Sequence, residues 1–210
     1  MDKFKAVLFD FGNVVINIDP ELTLKKFSEI SGKPLERIRS KMVESQLFRR
    51  YESGSFEDDE FREIVRQTLG YPFSDEEVDK AWNALLLDVP PHRIHLILDL
   101  KARYKVYLLS NTNNIHIKAS DKYFRQQFGI DSVASIFDRA FYSYEMGLWK
   151  PDEEIYREVL KETELEASDI LFIDDNELNI RSAKGLGFQT IHLTPPDDIA
   201  NHFDLSLIGK

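Results

Sequence analysis

Four short segments of this chain carry side chains able to do chemistry at a shared point. They are Asp10-Phe11-Gly12-Asn13-Val14, Ser110-Asn111-Thr112-Asn113, Lys150-Pro151 and Asp174-Asp175-Asn176. Each has an ordinary reading when taken alone. The first can be a strand end followed by a turn, the second a helix cap, the third a helix start with Pro151 at its first position, and the fourth a solvated acidic turn that caps a helix. The Asp-Phe-Gly triplet also occurs in protein kinases, but a Gly-rich loop and a catalytic His-Arg-Asp should then precede it, and neither does. Together, carboxylates, an ammonium and a hydroxyl are the groups that phosphoryl transfer uses. That reaction needs an in-line nucleophile and neutralisation of charge on the non-bridging oxygens. A carboxylate nucleophile divides hydrolysis into formation and breakdown of an acyl phosphate. Carboxylates converging at about 4 Å repel by roughly 4 kcal/mol per pair at an effective dielectric of about 20, which a hard cation relieves.

The elements that must position these groups are short apolar runs. Ala6-Val7-Leu8-Phe9 leads to Asp10, Val106-Tyr107-Leu108-Leu109 to Ser110, and Ile170-Leu171-Phe172-Ile173 to Asp174, while Thr190-Ile191-His192-Leu193 leads to a Pro-Pro turn. Continuous rather than alternating hydrophobicity suits strands buried on both faces of a parallel sheet. Helical patterns lie between the runs: Pro91 to Tyr104 with Ile94, Ile97, Leu98 and Ala102 on its apolar face, Asp152 to Leu165 with Ile155, Val159 and Leu160, and Glu177 to Leu186, which ends at Gly187. This alternation predicts an α/β fold with a doubly wound parallel sheet, in which ligands sit beyond the carboxyl ends of the strands. Asp10, Ser110 and Asp174 would then share a cleft. The stretch of about 90 residues between the first two runs far exceeds one crossover. It reads as helices at Glu21–Ile30, Leu35–Glu44, Phe56–Leu69 and Ser74–Leu87, with a capping box at Ser74. The expected organisation is an α/β core from residues 1–16 and 89–210, with a helical cap inserted at 17–88.

Composition narrows the partners. A net charge of -10, from 37 acids against 27 bases, repels phosphate backbones and argues against nucleic acid as a partner. A small anionic substrate remains compatible, because a metal and a few cations can invert the field of one cleft. With no cysteine, thiolate chemistry and cysteine-ligated zinc are excluded. No run approaches the roughly 18 apolar residues of a membrane span, and the apolar stretch near Met1 is too short for a signal peptide. The expectation is a cytoplasmic protein without membrane partners, and nothing in the sequence signals its oligomeric state. Among the histidines, His192 is expected in the core, and His92 and His95 as a solvated or packed pair.

The segments LFDFGNVV, LLSNTN, GLWKPDEEIY and FIDDNELNI, in this order, resemble the motifs of haloacid dehalogenase-like hydrolases across nearly the whole chain. They are most similar to the branch whose first motif reads DFGNV or DLGNV, which includes bacterial phosphatases acting on α-D-glucose 1-phosphate. The resemblance implies a Mg²⁺-dependent phosphatase acting on a small phosphorylated metabolite such as a sugar phosphate. It makes Asp10 the nucleophile and a metal ligand, with the Gly12 carbonyl, Asp175 and Asp174 (directly or through water) completing the metal site. Lys150 would screen Asp10 from the phosphate dianion, while Ser110 and the Asn111 amide hold phosphate oxygens. One departure stands out. Most phosphatases of this superfamily carry a second aspartate two positions after the nucleophile as general acid and base, and here that position is Gly12. Asn13 cannot titrate in its place. The departure keeps open a non-catalytic phosphoryl-binding or sensing protein. Metal-free dehalogenation is a further alternative, against which the Asp174-Asp175 pair speaks. In receiver domains the acidic pair follows the first strand, the reverse of the order here.

Overall fold

Strand β1 (Ala6–Phe9) is the middle of a five-stranded sheet. The computed structural model describes residues 4–203. Strands β2 (Lys105–Ser110), β3 (Arg139–Tyr142), β4 (Ile170–Asp174) and β5 (Gln189–His192) pair with it in the order β3-β2-β1-β4-β5, all parallel. The chain is therefore an α/β protein with a doubly wound sheet. Phe9 stands opposite Leu108 and Ile173, so Asp10, Ser110 and Asp174 leave the sheet at one edge of carboxyl ends.

The continuous apolar runs follow from burial on both sides. Val7, Phe9, Val106, Leu108, Leu171 and Ile173 point to one face, under α6 (Pro91–Leu100) and α7 (Asn114–Phe128). Ala6, Leu8, Tyr107, Leu109, Ile170 and Phe172 point to the other, under α9 (Glu153–Thr163) and α10 (Glu177–Gly185), with the single-turn α8 (Ser143–Met146) after β3.

Five helices lie between β1 and α6: α1 (Pro20–Ser31), α2 (Leu35–Glu44), α3 (Leu47–Glu52), α4 (Asp58–Leu69) and α5 (Asp75–Trp82). They enclose a hydrophobic cluster of their own around Phe27, Phe61, Val65 and Trp82. The expected capping box forms, with the Glu77 amide donating to Ser74 Oγ at 3.2 Å and the Ser74 amide to Glu77 Oε2 at 2.8 Å. The chain enters and leaves this lobe through two paired segments. Asn17 N donates to Asp88 O at 2.9 Å, Leu87 N to Asn17 O at 3.0 Å, and Ile18 bridges Leu86 antiparallel. No helix among the described residues is long and apolar enough to cross a membrane.

Several details differ from the sequence expectations. β3 is a four-residue edge strand whose Arg139 faces solvent, so no apolar run marked it. The helix expected to run to Leu87 ends at Trp82 and passes into a 3₁₀ turn. Pro151 is not the first residue of α9, which begins at Glu153 after Asp152. α6 stops at Leu100, and Leu98 is 44 % exposed because the buried face runs through Arg93, Ile94, Leu96, Ile97 and Leu100. Arg93 is buried by virtue of its bonds to Asp198 and Asn17 at 2.9 and 3.0 Å. His192, expected in the core, is exposed on the edge strand β5 and bonds the Asp175 carbonyl at 3.0 Å. His92 and His95 are both solvated.

Candidate active site

Asp10 follows β1 directly, its amide held by the Ile173 carbonyl at 2.9 Å. The next residues fold into a tight loop in which the amides of Val15 and Ile16 both return to the Phe11 carbonyl. Asn13 adopts a left-handed backbone there (φ 56°), a conformation asparagine tolerates better than most residues. Its side chain spans the loop, accepting from Ile18 N at 3.1 Å and donating to Asp175 Oδ2 at 2.9 Å. Though it cannot titrate, Asn13 fixes the carboxylate of Asp175.

The carboxylates of Asp10, Asp174 and Asp175 each present an oxygen within 4.8 Å of the others. Lys150 lies among them, 1 % exposed, its ammonium donating to Asp10 Oδ1 at 2.7 Å, Asp174 Oδ2 at 2.7 Å and the Leu109 carbonyl at 2.9 Å. The ammonium therefore has three fixed acceptors. Asn111 braces the backbone from which it projects: Oδ1 accepts from Lys150 N and Nδ2 donates to Lys150 O, both at 2.9 Å. Asp174 is fully buried, and Asn179 from α10 donates to both of its oxygens at 3.0 Å while the Asn176 amide donates to Oδ1 at 2.8 Å. Ser110, 3 % exposed, ends β2 on the wall of the adjoining cleft.

The electrostatics follow from this crowding. Burial, joined by the charges of Asp174 and Asp175 and opposed by Lys150, leaves the Asp10 carboxyl pushed up to about 7. Burial likewise lifts Asp175, against the pull of its Asn13 hydrogen bond. For Lys150 burial works against the charged form, but the carboxylates of Asp10 and Asp174 outweigh it and hold the ammonium above its ordinary value. Three carboxylates face one lysine, so two negative charges are left over when all three are ionised. An all-oxygen set with surplus negative charge fits a hard divalent cation such as Mg²⁺.

Beside this cluster opens a cleft of about 530 Å³ between sheet and helical lobe. Gly12, Ser110, Asn111 and Thr112 form its floor, and Ile18, Phe48, Leu85 and Leu86 part of its apolar wall, with Glu52 and His116 as polar members. The sequence matches the family profile described as haloacid dehalogenase-like hydrolase over residues 4–187. The chain belongs to this family.

Among curated members of the family, a D-ribitol-5-phosphate phosphatase from Bacteroides thetaiotaomicron is 30 % identical over 188 residues, covering 89 % of this chain and 90 % of its own. A sesquiterpene phosphatase from Aspergillus oryzae is 29 % identical over 208 residues, covering 98 % and 97 %. The crystal structure of a HAD family enzyme from B. thetaiotaomicron, in complex with magnesium and inorganic phosphate, is 35 % identical with a TM-score of 0.88, covering 96 % of this chain and 100 % of that one.

Of the residues expected at the site, Asp10, Lys150, Asp174 and Asp175 meet directly, and Gly12, Ser110 and Asn111 line the cleft beside them. Asn179 and Glu52 were not anticipated. Asn179 lies within the FIDDNELNI segment, five residues after the carboxylate it fixes, and that helical spacing was its available signal. Trp149, next to Lys150, is partly buried and donates through Nε1 to Glu52 Oε2 at 3.3 Å. Arg49 of the neighbouring basic pair lies over the Trp149 ring at 5.0 Å and pairs with Asp152 at 2.8 Å.

Proposed function

We propose that this enzyme is a Mg²⁺-dependent phosphomonoesterase that transfers the phosphoryl group of a small metabolite to Asp10 and then to water. The observation that carries the reading is the ammonium of Lys150 clamped between Asp10 and Asp174, with Asp175 beside them, next to the cleft that Gly12, Ser110 and Asn111 line. Asp10 supplies the attacking oxygen, and its link to Lys150 screens it from the dianion it approaches. Ser110 Oγ and the Asn111 amide hold non-bridging oxygens. Asp10, the Gly12 carbonyl and Asp175 would hold the magnesium ion. Asp174, whose oxygens already accept from Lys150, Asn179 and the Asn176 amide, would act through water. When bound, the ion neutralises charge on the phosphoryl oxygens. The helices of residues 17–88 act as the cap that encloses the leaving group and excludes water.

For the leaving group we infer a compact alcohol, with a polyol or sugar phosphate as the first candidate class. The ribitol-phosphate phosphatase, matched over most of both chains, supports it. A second reading is a phosphate ester of an apolar alcohol, favoured by the aliphatic and aromatic wall of Phe11, Ile16, Ile18, Phe48, Leu85 and Leu86. A cytoplasmic location belongs to the same proposal, since phosphorylated metabolites are charged and retained inside cells. A screen of sugar, polyol and prenyl phosphates with and without Mg²⁺ tests these readings, with phosphate release as readout. Release from no member of the panel in the presence of Mg²⁺ would refute the phosphatase reading.

A further inference from the structure

When the ester P–O bond of an unactivated phosphate breaks, the leaving oxygen needs a proton, and Gly12 cannot supply one. The remaining polar side chains of the cleft are few. Ser110 and Thr112 are hydroxyls, too weakly acidic to serve. His116 is buried and held neutral, its pKa driven down to about 3 by burial, so it has no imidazolium proton to give. Its Nδ1 is already engaged by Asn83 Oδ1 at 2.9 Å. The other titratable group on this wall is Glu52.

We propose that Glu52, the last residue of α3, is the catalytic acid and base for the leaving oxygen, delivered from the cap side of the cleft. The proposal rests on the phosphatase reading above. Both ends of the residue are fixed. Its backbone carbonyl accepts from Ser143 Oγ at 2.5 Å, which ties α3 to the core. Its carboxyl accepts from Trp149 Nε1 through Oε2, leaving Oε1 to carry a proton. No cation pairs with this carboxyl among the described residues, and its surroundings are the apolar wall of the cleft. Burial is the main cause that raises its pKa to about 8. The Trp149 hydrogen bond and the charge of Lys150 oppose the rise, and the negative charge of Asp10 adds to it. A carboxyl in that state is protonated at neutral pH when substrate arrives, and it is a competent base once it has given its proton.

The reaction takes two steps. In the first, an Asp10 oxygen forms a bond to phosphorus while the ester P–O bond breaks with its electron pair. The leaving oxygen takes the Glu52 proton and departs as the alcohol, leaving an aspartyl phosphate and a Glu52 carboxylate. In the second, that carboxylate takes a proton from water as the water oxygen bonds to phosphorus. The acyl P–O bond breaks with its pair to Asp10, releasing hydrogen phosphate and restoring the protonated Glu52. Placing the acid on the cap brings its proton from the side that encloses the leaving group. This offers a reason why the floor of the site can dispense with a second aspartate.

The test is a leaving-group series, from 2,4-dinitrophenyl through phenyl to an alkyl phosphate that the wild type turns over, measured with Mg²⁺ for wild type and Glu52→Gln. Glutamine keeps the shape and an acceptor for Trp149 but has no proton to give. The expected result is a kcat/KM loss of about 10²–10³ on the alkyl ester, shrinking to less than about 5-fold on the dinitrophenyl ester, because kcat/KM reports the steps up to departure of the leaving group and not the common hydrolysis of the aspartyl phosphate. A loss of equal size across the series would mean that Glu52 only packs, and would overturn the proposal. Should the variant fail to fold, the wild-type series decides by itself: a shallow dependence on leaving-group acidity supports a resident acid, and a steep one overturns it. A wild type inert toward every ester would sink the phosphatase reading, and this proposal with it.

Discussion

Lys150→Met removes the one ammonium that Asp10 and Asp174 share while keeping most of the side-chain volume. Lys150 and Asp174 are almost completely buried, and Asp10 is 8 % exposed. Taking away the cation leaves two buried carboxylates facing each other and a third, Asp175, close by. Removing one partner of a buried ion pair costs about 3–5 kcal/mol. In a chain of this size each kcal/mol shifts the melting temperature by about 2–4 °C, so the metal-free variant should melt roughly 6–20 °C below the wild type. Mg²⁺ should then stabilise the variant more than it stabilises the wild type, because no ammonium competes for the same oxygens. Thermal unfolding of both proteins, with EDTA and with a saturating Mg²⁺ series, reads both effects. A variant melting within about 2 °C of the wild type in EDTA would show that Lys150 is not the counter-charge of this cluster, and the reasoning would fail.

Other expectations follow from single features. EDTA should abolish phosphatase activity and Mg²⁺ restore it, whereas Ca²⁺, with its longer bonds and higher coordination, should not; full activity of a metal-stripped sample would contradict this. A Cβ at position 12 would come 2.7 Å from Ile18 Cδ1, the mobile end of a side chain that can move aside, so Gly12→Asp should lower stability by about 1 kcal/mol, the low end for overpacking, and Ile18→Val should recover part of it in urea unfolding. No recovery would mean that the strain lies elsewhere. His116 carries a pKa of about 3 in the fold, against roughly 6.5 for an unfolded histidine, so only the unfolded chain binds that proton as pH falls. The stability tied to it is complete above about 6.5 and declines by about 2 kcal/mol on reaching pH 5. His116→Phe, which keeps a ring against Trp82, should flatten the fall of stability between pH 7 and pH 5. An unchanged slope would refute the assignment.

The sheet and the cluster were legible because parallel strands buried on both faces leave unbroken apolar runs, and three of the four runs ended on a residue at the site. Asp10, Ser110 and Asp174 could be placed together on that ground alone. What escaped were features made by contacts distant in sequence. Glu52 reads locally as one more acid on a polar helix, and its depth depends on Trp149 and on an acidic cluster supplied by other strands. His192 sits in an apolar stretch yet faces solvent, because it ends β5, the edge strand of the sheet. Leu98 fell into an apparent apolar stripe, while the buried face of α6 was turned by Arg93, whose charge is met by Asp198 from more than a hundred residues away.

The central claim, that Asp10 carries the phosphoryl group, is tested most directly by trapping it. Acid quench during turnover of a good substrate with Mg²⁺, borohydride reduction of any acyl phosphate, and peptide mapping report which carboxyl was phosphorylated. Reduction of the Asp10 side chain is expected in the wild type with Mg²⁺, and none in EDTA or in Asp10→Asn. Steady turnover with no trapped acyl group at Asp10, or an Asp10→Asn protein that keeps near-normal kcat, would contradict it.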